Sequence, residues 1–132
     1  MRLVYLDSSA LVKLVVTEPE SAALIELLRV RPDRVSSAVA LTEVPRALRR
    51  AGFGAAERRR ARALLARVAL VDVDRRIVAA AAVLDPPTLG TLDAIHLATA
   101  LAVRDDLAAL VTYDRRLRVA AERAHLDVLA PA

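Results

Sequence analysis

Residues 2–16 read RLVYLDSSALVKLVV, and the change of pattern inside them decides the fold. Arg2 to Leu6 is a short apolar run, the signature of a buried strand. It stops at Asp7-Ser8-Ser9, three residues of the kind that cap helices, and Ala10 to Val16 continues helically. Strand, cap, helix: this is the opening of a β–α unit.

The same grammar recurs along the chain. Pro19 is suited to a first helical turn and opens a helix through about Val30. Arg31-Pro32-Asp33 breaks it, and Val35 to Ala38 reads as a second strand. Helices from Leu41 to Arg50 and from Ala55 to Val68 follow, joined at Gly52-Phe53-Gly54. Ala69 to Val73 is a third strand, Asp74 caps a helix running to Leu84, and Asp85-Pro86-Pro87 is a loop. Thr91 is placed to cap a helix from Leu92 to about Val103, and Leu110 to Tyr113 is a fourth strand. Asp114 opens a helix to about Arg123, and Asp127 to Leu129 is a short fifth strand. Strands alternating with helices imply an α/β/α sandwich with a central, mostly parallel sheet of four to five strands. With no repeat, low-complexity tract or linker, residues 1–132 are expected to form a single domain.

Composition narrows the chemistry. The chain has 132 residues, 56% hydrophobic and 27% charged, which excludes a disordered polymer and allows a full core. There is no cysteine, so any metal site would be hard and oxygen-liganded, the two histidines alone being a poor basis for zinc. No apolar run is long enough to span a membrane, and the Met1–Leu6 run is too short for a signal peptide. The expected location is the cytoplasm. Net charge is +4, and Lys13 is the only lysine among 20 basic residues. Arginine favours planar partners such as phosphate and carboxylate. One Phe, two Tyr and no Trp leave little scope for base stacking, so a nucleic acid would be held by its backbone.

In parallel sheets ligands bind beyond the carboxyl ends of the strands. Asp7 follows the first strand and Asp114 the fourth. Glu43 lies in the first turn of the helix after the second strand, and Asp93 in the first turn of the helix feeding the fourth. Each acid alone also reads as a helix cap or a dipole-favoured first-turn acid. Gathered together, they would raise one another's pKa unless a cation neutralised them. Mg²⁺ suits such a place, because it takes one or two carboxylates together with waters and phosphate oxygens.

Four segments carry these acids in order: VYLDSSALVKL (Val4–Leu14), LTEVPRAL (Leu41–Leu48), LDAIHLATAL (Leu92–Leu101) and LVTYDRRL (Leu110–Leu117). Over essentially the whole chain this series resembles the PIN-domain family, in particular the VapC-type toxins of bacterial toxin–antitoxin pairs. The resemblance implies a Mg²⁺- or Mn²⁺-dependent endoribonuclease that dimerises and is held inactive by a cognate antitoxin. It assigns Asp7, Glu43 and Asp93 to the family's acidic triad and Asp114 to its more variable fourth acid. Ser8 and Thr112 match positions that stand behind the acids or touch phosphate. Pro45 fits an undistorted helix only if that helix begins close to Thr42.

Other residues carry weaker signals. His96, one turn beyond Asp93, suits a structural or substrate contact better than metal ligation, and His125 reads as a helix-terminus residue. Asp72, Asp74, Asp105 and Asp106 read as caps or turn acids. Arg46, three residues after Glu43, is placed either to pair with it or to reach phosphate. The arginine-rich hairpin from Arg46 to Arg67 has three readings: a solvated face, a contact to the RNA backbone, or a contact to an acidic or C-terminal carboxylate-bearing partner segment, of which the resemblance favours the partner. A phosphotransfer or dehalogenase domain would also place an Asp after the first strand. Position 9 is Ser, however, and no lysine occurs late in the chain. The remaining alternative is a degenerate PIN-like domain that binds RNA or a partner without catalysis.

Overall fold

The computed structural model describes residues 2–132; Met1 lies outside them. Five parallel strands, β1 (Leu3–Leu6), β2 (Arg34–Ser37), β3 (Ala69–Val71), β4 (Leu107–Val111) and β5 (Val128–Leu129), form one sheet in the order β3-β2-β1-β4-β5. The first strand is therefore central. The chain winds outward from it through β2 and β3, then returns to β1's other side for β4 and β5.

Helices α1 (Ser8–Val15), α2 (Ser21–Val30), α3 (Ala40–Arg50) and α4 (Ala55–Leu65) connect the first three strands. Helices α5 (Arg75–Ala82) and α6 (Thr91–Ala102) lead into β4, and α7 (Arg115–Arg123) leads into β5. Side-chain alternation along a strand sends successive residues to opposite faces. Accordingly Val4 and Leu6 pack with Leu11, Leu24, Val44, Leu48 and Leu65 of α1–α4. Tyr5, between them, packs with Leu97, Leu110, Leu117 and Ala121 on the α6–α7 side. Two apolar cores thus sandwich one sheet, as the strand–helix alternation led us to expect. No helix of the described residues is long and apolar enough to cross a membrane.

Several boundaries differ from the sequence reading, each for a local reason. Helix α2 begins at Ser21, after Pro19, where the Ser21 hydroxyl donates to the Lys13 carbonyl at 2.7 Å and ties the start of α2 to α1. Thr91 is the first residue of α6, and Gly90 occupies the cap. Strand β4 starts at Leu107 and ends at Val111, leaving Thr112 and Tyr113 beyond the sheet. Pro45 lies inside α3, which starts at Ala40. With no N–H, it cannot donate to the Leu41 carbonyl one turn back. The helix tolerates this because Val44 and Leu48, both fully buried, anchor the turns on either side.

Leu110, fully buried in the core beneath α6 and α7, tests this packing. Leu110→Ala should cost about 2–5 kcal/mol in urea denaturation. Val83→Ala, at a residue 81% exposed, should stay within about 0.5 kcal/mol.

Candidate active site

The strand order reverses between β1 and β4, and the crevice at their carboxyl ends is where such sheets bind ligands. Asp7 sits there as the residue directly after β1. It caps α1, its Oδ1 accepting the Ala10 N–H at 3.0 Å and the Ser9 hydroxyl at 2.6 Å. Its Oδ2 accepts the Thr112 hydroxyl at 2.5 Å. Asp7 is only 3% exposed. Burial pushes its pKa up, and the Ser9, Thr112 and Ala10 donors together with His96 oppose that rise. The stitching runs further. Asp7 N–H donates to the Val111 carbonyl at 3.2 Å, Tyr113 N–H to the Ser9 hydroxyl at 3.0 Å, and Asp114 N–H to Thr112 Oγ1 at 3.0 Å. Thr112 thus lies just beyond β4 and is hydrogen-bonded to Asp7.

Glu43, in the first turn of α3, is held from two sides. Its Oε1 accepts the Ser8 hydroxyl at 2.7 Å and lies 2.6 Å from His96 Nε2. On the far side of the imidazole, Nδ1 is 2.7 Å from the Tyr5 hydroxyl. Burial pushes the Tyr5 pKa up, so the phenol keeps its proton. An ionised Glu43 can only accept, so Nε2 carries a hydrogen and donates to it. Burial by itself would raise the Glu43 pKa; the His96 and Ser8 hydrogen bonds and the charges of His96 and Arg50 outweigh it and lower the pKa.

This arrangement corrects one expectation and sharpens another. Arg46 does not pair with Glu43; it is exposed and makes no ion pair among the described residues. His96, 1% exposed, has both ring nitrogens engaged and acts as a positioning residue. Its one sequence signal was a polar residue one turn beyond Asp93 on an apolar helix face.

Asp93 is half-buried in the first turn of α6, and Asp114 caps α7 through the Arg116 and Leu117 N–H groups at 2.9 and 3.1 Å. Both of those bonds go to Asp114 Oδ1. The Asp93 pKa is pushed up to about 6, chiefly by burial and then by the charges of Asp114, Asp7 and Glu43, with His96 pulling the other way. The four acids thus share one electrostatic field. Among the described residues, however, no three acidic or histidine side chains gather closely enough to enclose an ion by themselves. The repulsion at Asp93 is what a cation would relieve. The donors are all oxygen, which suits Mg²⁺ or Mn²⁺.

The sign of the Asp93 shift gives a test. A carboxyl whose pKa is higher folded than unfolded costs stability once ionised. That cost is absent below about pH 4, grows between pH 4 and 6, and is complete above. In metal-free protein at pH 7, Asp93→Asn should therefore stabilise by about 1 kcal/mol, after allowance for solvent screening of a half-exposed group. The gain should vanish in thermal melts near pH 4.

Comparison with known proteins agrees with this picture. A family model described as PIN domain matches residues 4–123. Ribonuclease VapC46 of Mycobacterium tuberculosis is 52% identical over 132 residues, covering 100% of both chains. Ribonuclease VapC35 of the same species is 42% identical, with 98% of this chain and 97% of the relative covered. Among solved structures, VapBC2 from Rickettsia felis, bound to a DNA fragment from its promoter, superposes with a TM-score of 0.77 at 14% identity, covering 98% of this chain and 99% of that one. The sarcin-ricin-loop-cleaving toxin VapC20 of M. tuberculosis gives 0.72 at 17% identity, covering 97% and 99%. These last two bear on the fold alone. With a match to the family model over residues 4–123 and full-length relatives of high identity, the chain belongs to the PIN-domain family.

Proposed function

We propose that this protein is a divalent-metal-dependent endoribonuclease that hydrolyses RNA phosphodiester bonds and acts as the toxin of a toxin–antitoxin pair. The observation that carries the reading is the electrostatic coupling of Asp93 to Asp114, Asp7 and Glu43 in a chain 52% identical, end to end, to a protein named a ribonuclease. The toxin role rests on the VapC character of the relatives and of the four segments. It brings with it a cognate antitoxin as inhibitor and a homodimer as the working form.

In this reading Asp7, Glu43 and Asp93 hold Mg²⁺ or Mn²⁺, with Asp114 contributing at the rim. The ion would polarise a phosphate oxygen and lower the pKa of a bound water. The chain's own part is to hold its carboxyl groups in place and, at Glu43, ionised. Thr112 and Ser9 fix both oxygens of Asp7, so the acid cannot rotate away from the crevice. The Tyr5–His96 pair and Ser8 do the same for Glu43 and keep it charged. A hollow of about 680 Å³ among Arg31, His125, Asp127 and neighbours lies elsewhere. It includes none of the four acids.

Purified protein incubated with single-stranded and structured RNA should cleave in Mg²⁺ or Mn²⁺ and stop in EDTA. Asp7→Asn and Asp93→Asn should each lower the rate on the order of 100-fold or more. Cleavage that survives EDTA or both substitutions would overturn the proposal. RNA binding without any cleavage would instead favour the degenerate-domain alternative.

The supporting residues should matter less than the acids but measurably. Thr112→Val and His96→Ala are expected to cost about 10- to 100-fold in metal affinity or activity, like other groups that orient metal-binding carboxylates. Isothermal titration with Mn²⁺ would separate that loss of affinity from a loss of folding.

A further inference from the structure

The arginine-rich hairpin formed by α3 and α4 holds two kinds of arginine that the sequence did not distinguish. On α4, Arg60 donates to the Val15 carbonyl and Arg58 donates to the Phe53 carbonyl at 3.4 Å, so both have structural partners, while Arg59 and Arg62 are exposed and have none among the described residues. On α3, Arg46, Arg49 and Arg50 are all exposed, and none makes a hydrogen bond or ion pair among the described residues. These three alone line a shallow hollow of about 270 Å³.

Their position on α3 relates them to the crevice. At roughly 100° and 1.5 Å per residue, Arg50 lies within about 20° of Glu43 around the helix axis and about 10 Å farther along it. Arg46 lies between them along the axis. The Arg50 charge acts on Glu43. A row therefore leads from the carboxylate cluster outward: an acid that needs a cation, then a strip of unpaired guanidinium groups.

We propose that Arg46, Arg49 and Arg50 form a docking strip for the sugar-phosphate backbone of an RNA strand whose scissile phosphate lies at the Glu43 end. The strip rests on the nuclease reading for its direction, but its chemistry is independent of cleavage. Guanidinium forks match phosphate oxygens bidentately and are weakly hydrated, so they exchange water for phosphate at small cost. The chain's scarcity of aromatic residues leaves backbone contact as its main means of holding a strand. A protein partner would be expected to bury an apolar or aromatic core. This hollow is lined by nothing but arginine, which favours the polyanion.

The test measures binding of a fluorescein-labelled single-stranded RNA of about 20 nucleotides to full-length protein in EDTA, from about 50 to 300 mM NaCl. It compares wild type, Arg46→Gln/Arg49→Gln/Arg50→Gln and the corresponding triple lysine variant. A charge-matched control carries Arg29→Gln/Arg31→Gln/Arg123→Gln; these exposed residues lie at the opposite edge of the sheet, where the strands begin. For a single strand the salt slope changes by about 0.7 per phosphate contact. The glutamine triple should therefore flatten the slope by about 2 and weaken binding at least tenfold at 0.1 M salt, while the lysine triple keeps most of the slope and the control changes neither. An unchanged slope and affinity in the glutamine triple would overturn the proposal. Loss of binding to a Glu-rich peptide with RNA binding intact would overturn it equally, by assigning the strip to an acidic protein segment. Because EDTA excludes cleavage, a protein that never cuts RNA could still validate the strip. A metal-dependent nuclease with an unaltered slope would lose the strip alone.

Discussion

A carboxyl group buried inside a protein needs donors to replace the water it gives up, and Asp7 is the place where this chain meets that need. Its 3% exposure is matched by three donors, from Ser9, Ala10 and Thr112. Those donors come from two segments more than 100 residues apart in sequence. Satisfying Asp7 therefore requires that β4 lie beside β1 in the register that places Val111 against Leu6. The same register puts Asp114 on the rim of the crevice. One buried carboxyl group, fully hydrogen-bonded, links the sheet's topology to the position of the chemistry.

Glu43 shows a second solution to the same problem. It is less buried than Asp7 and is steadied by an imidazole that itself leans on a buried phenol. Tyr5 belongs to β1, Ser8 to α1, His96 to α6 and Glu43 to α3. The second acid is thus fixed by contacts that cross the sheet from one helical layer to the other. Asp93 has no such escort and carries the electrostatic strain of the cluster. Where ionisation is costly to the protein, a cation has most to offer.

The strand–cap–helix grammar at Asp7 and Asp114 was legible because it is local: an apolar run, an oxygen-bearing side chain and a helical period lie within a dozen residues. The four acids were legible for the same reason. What the sequence concealed depends on distant partners. Arg46 stands three residues from Glu43 and looks like its ion-pair partner, but His96, 53 residues away, occupies that carboxylate. His96 itself reads as an ordinary interior residue, because nothing in LDAIHLATAL reports that Tyr5 waits across the sheet. Pro45 misled in the opposite sense. A helix whose apolar face is anchored at Val44 and Leu48 can start at Ala40, two residues before the Thr42 start that backbone hydrogen bonding alone recommends.

The order β3-β2-β1-β4-β5 also has a meaning in time. A chain emerging from the ribosome completes β1, β2 and β3 first, and through that interval β1 is an edge strand with one side unpaired. Asp7 then lacks Thr112, Asp93 has no Asp114 beside it, and the crevice has a single wall. Only when residues 107–114 are made do the last strand-end, the hydroxyl and the fourth acid arrive together. The crevice is therefore the last part of this fold to be assembled, and its two walls meet only when β4 has joined β1.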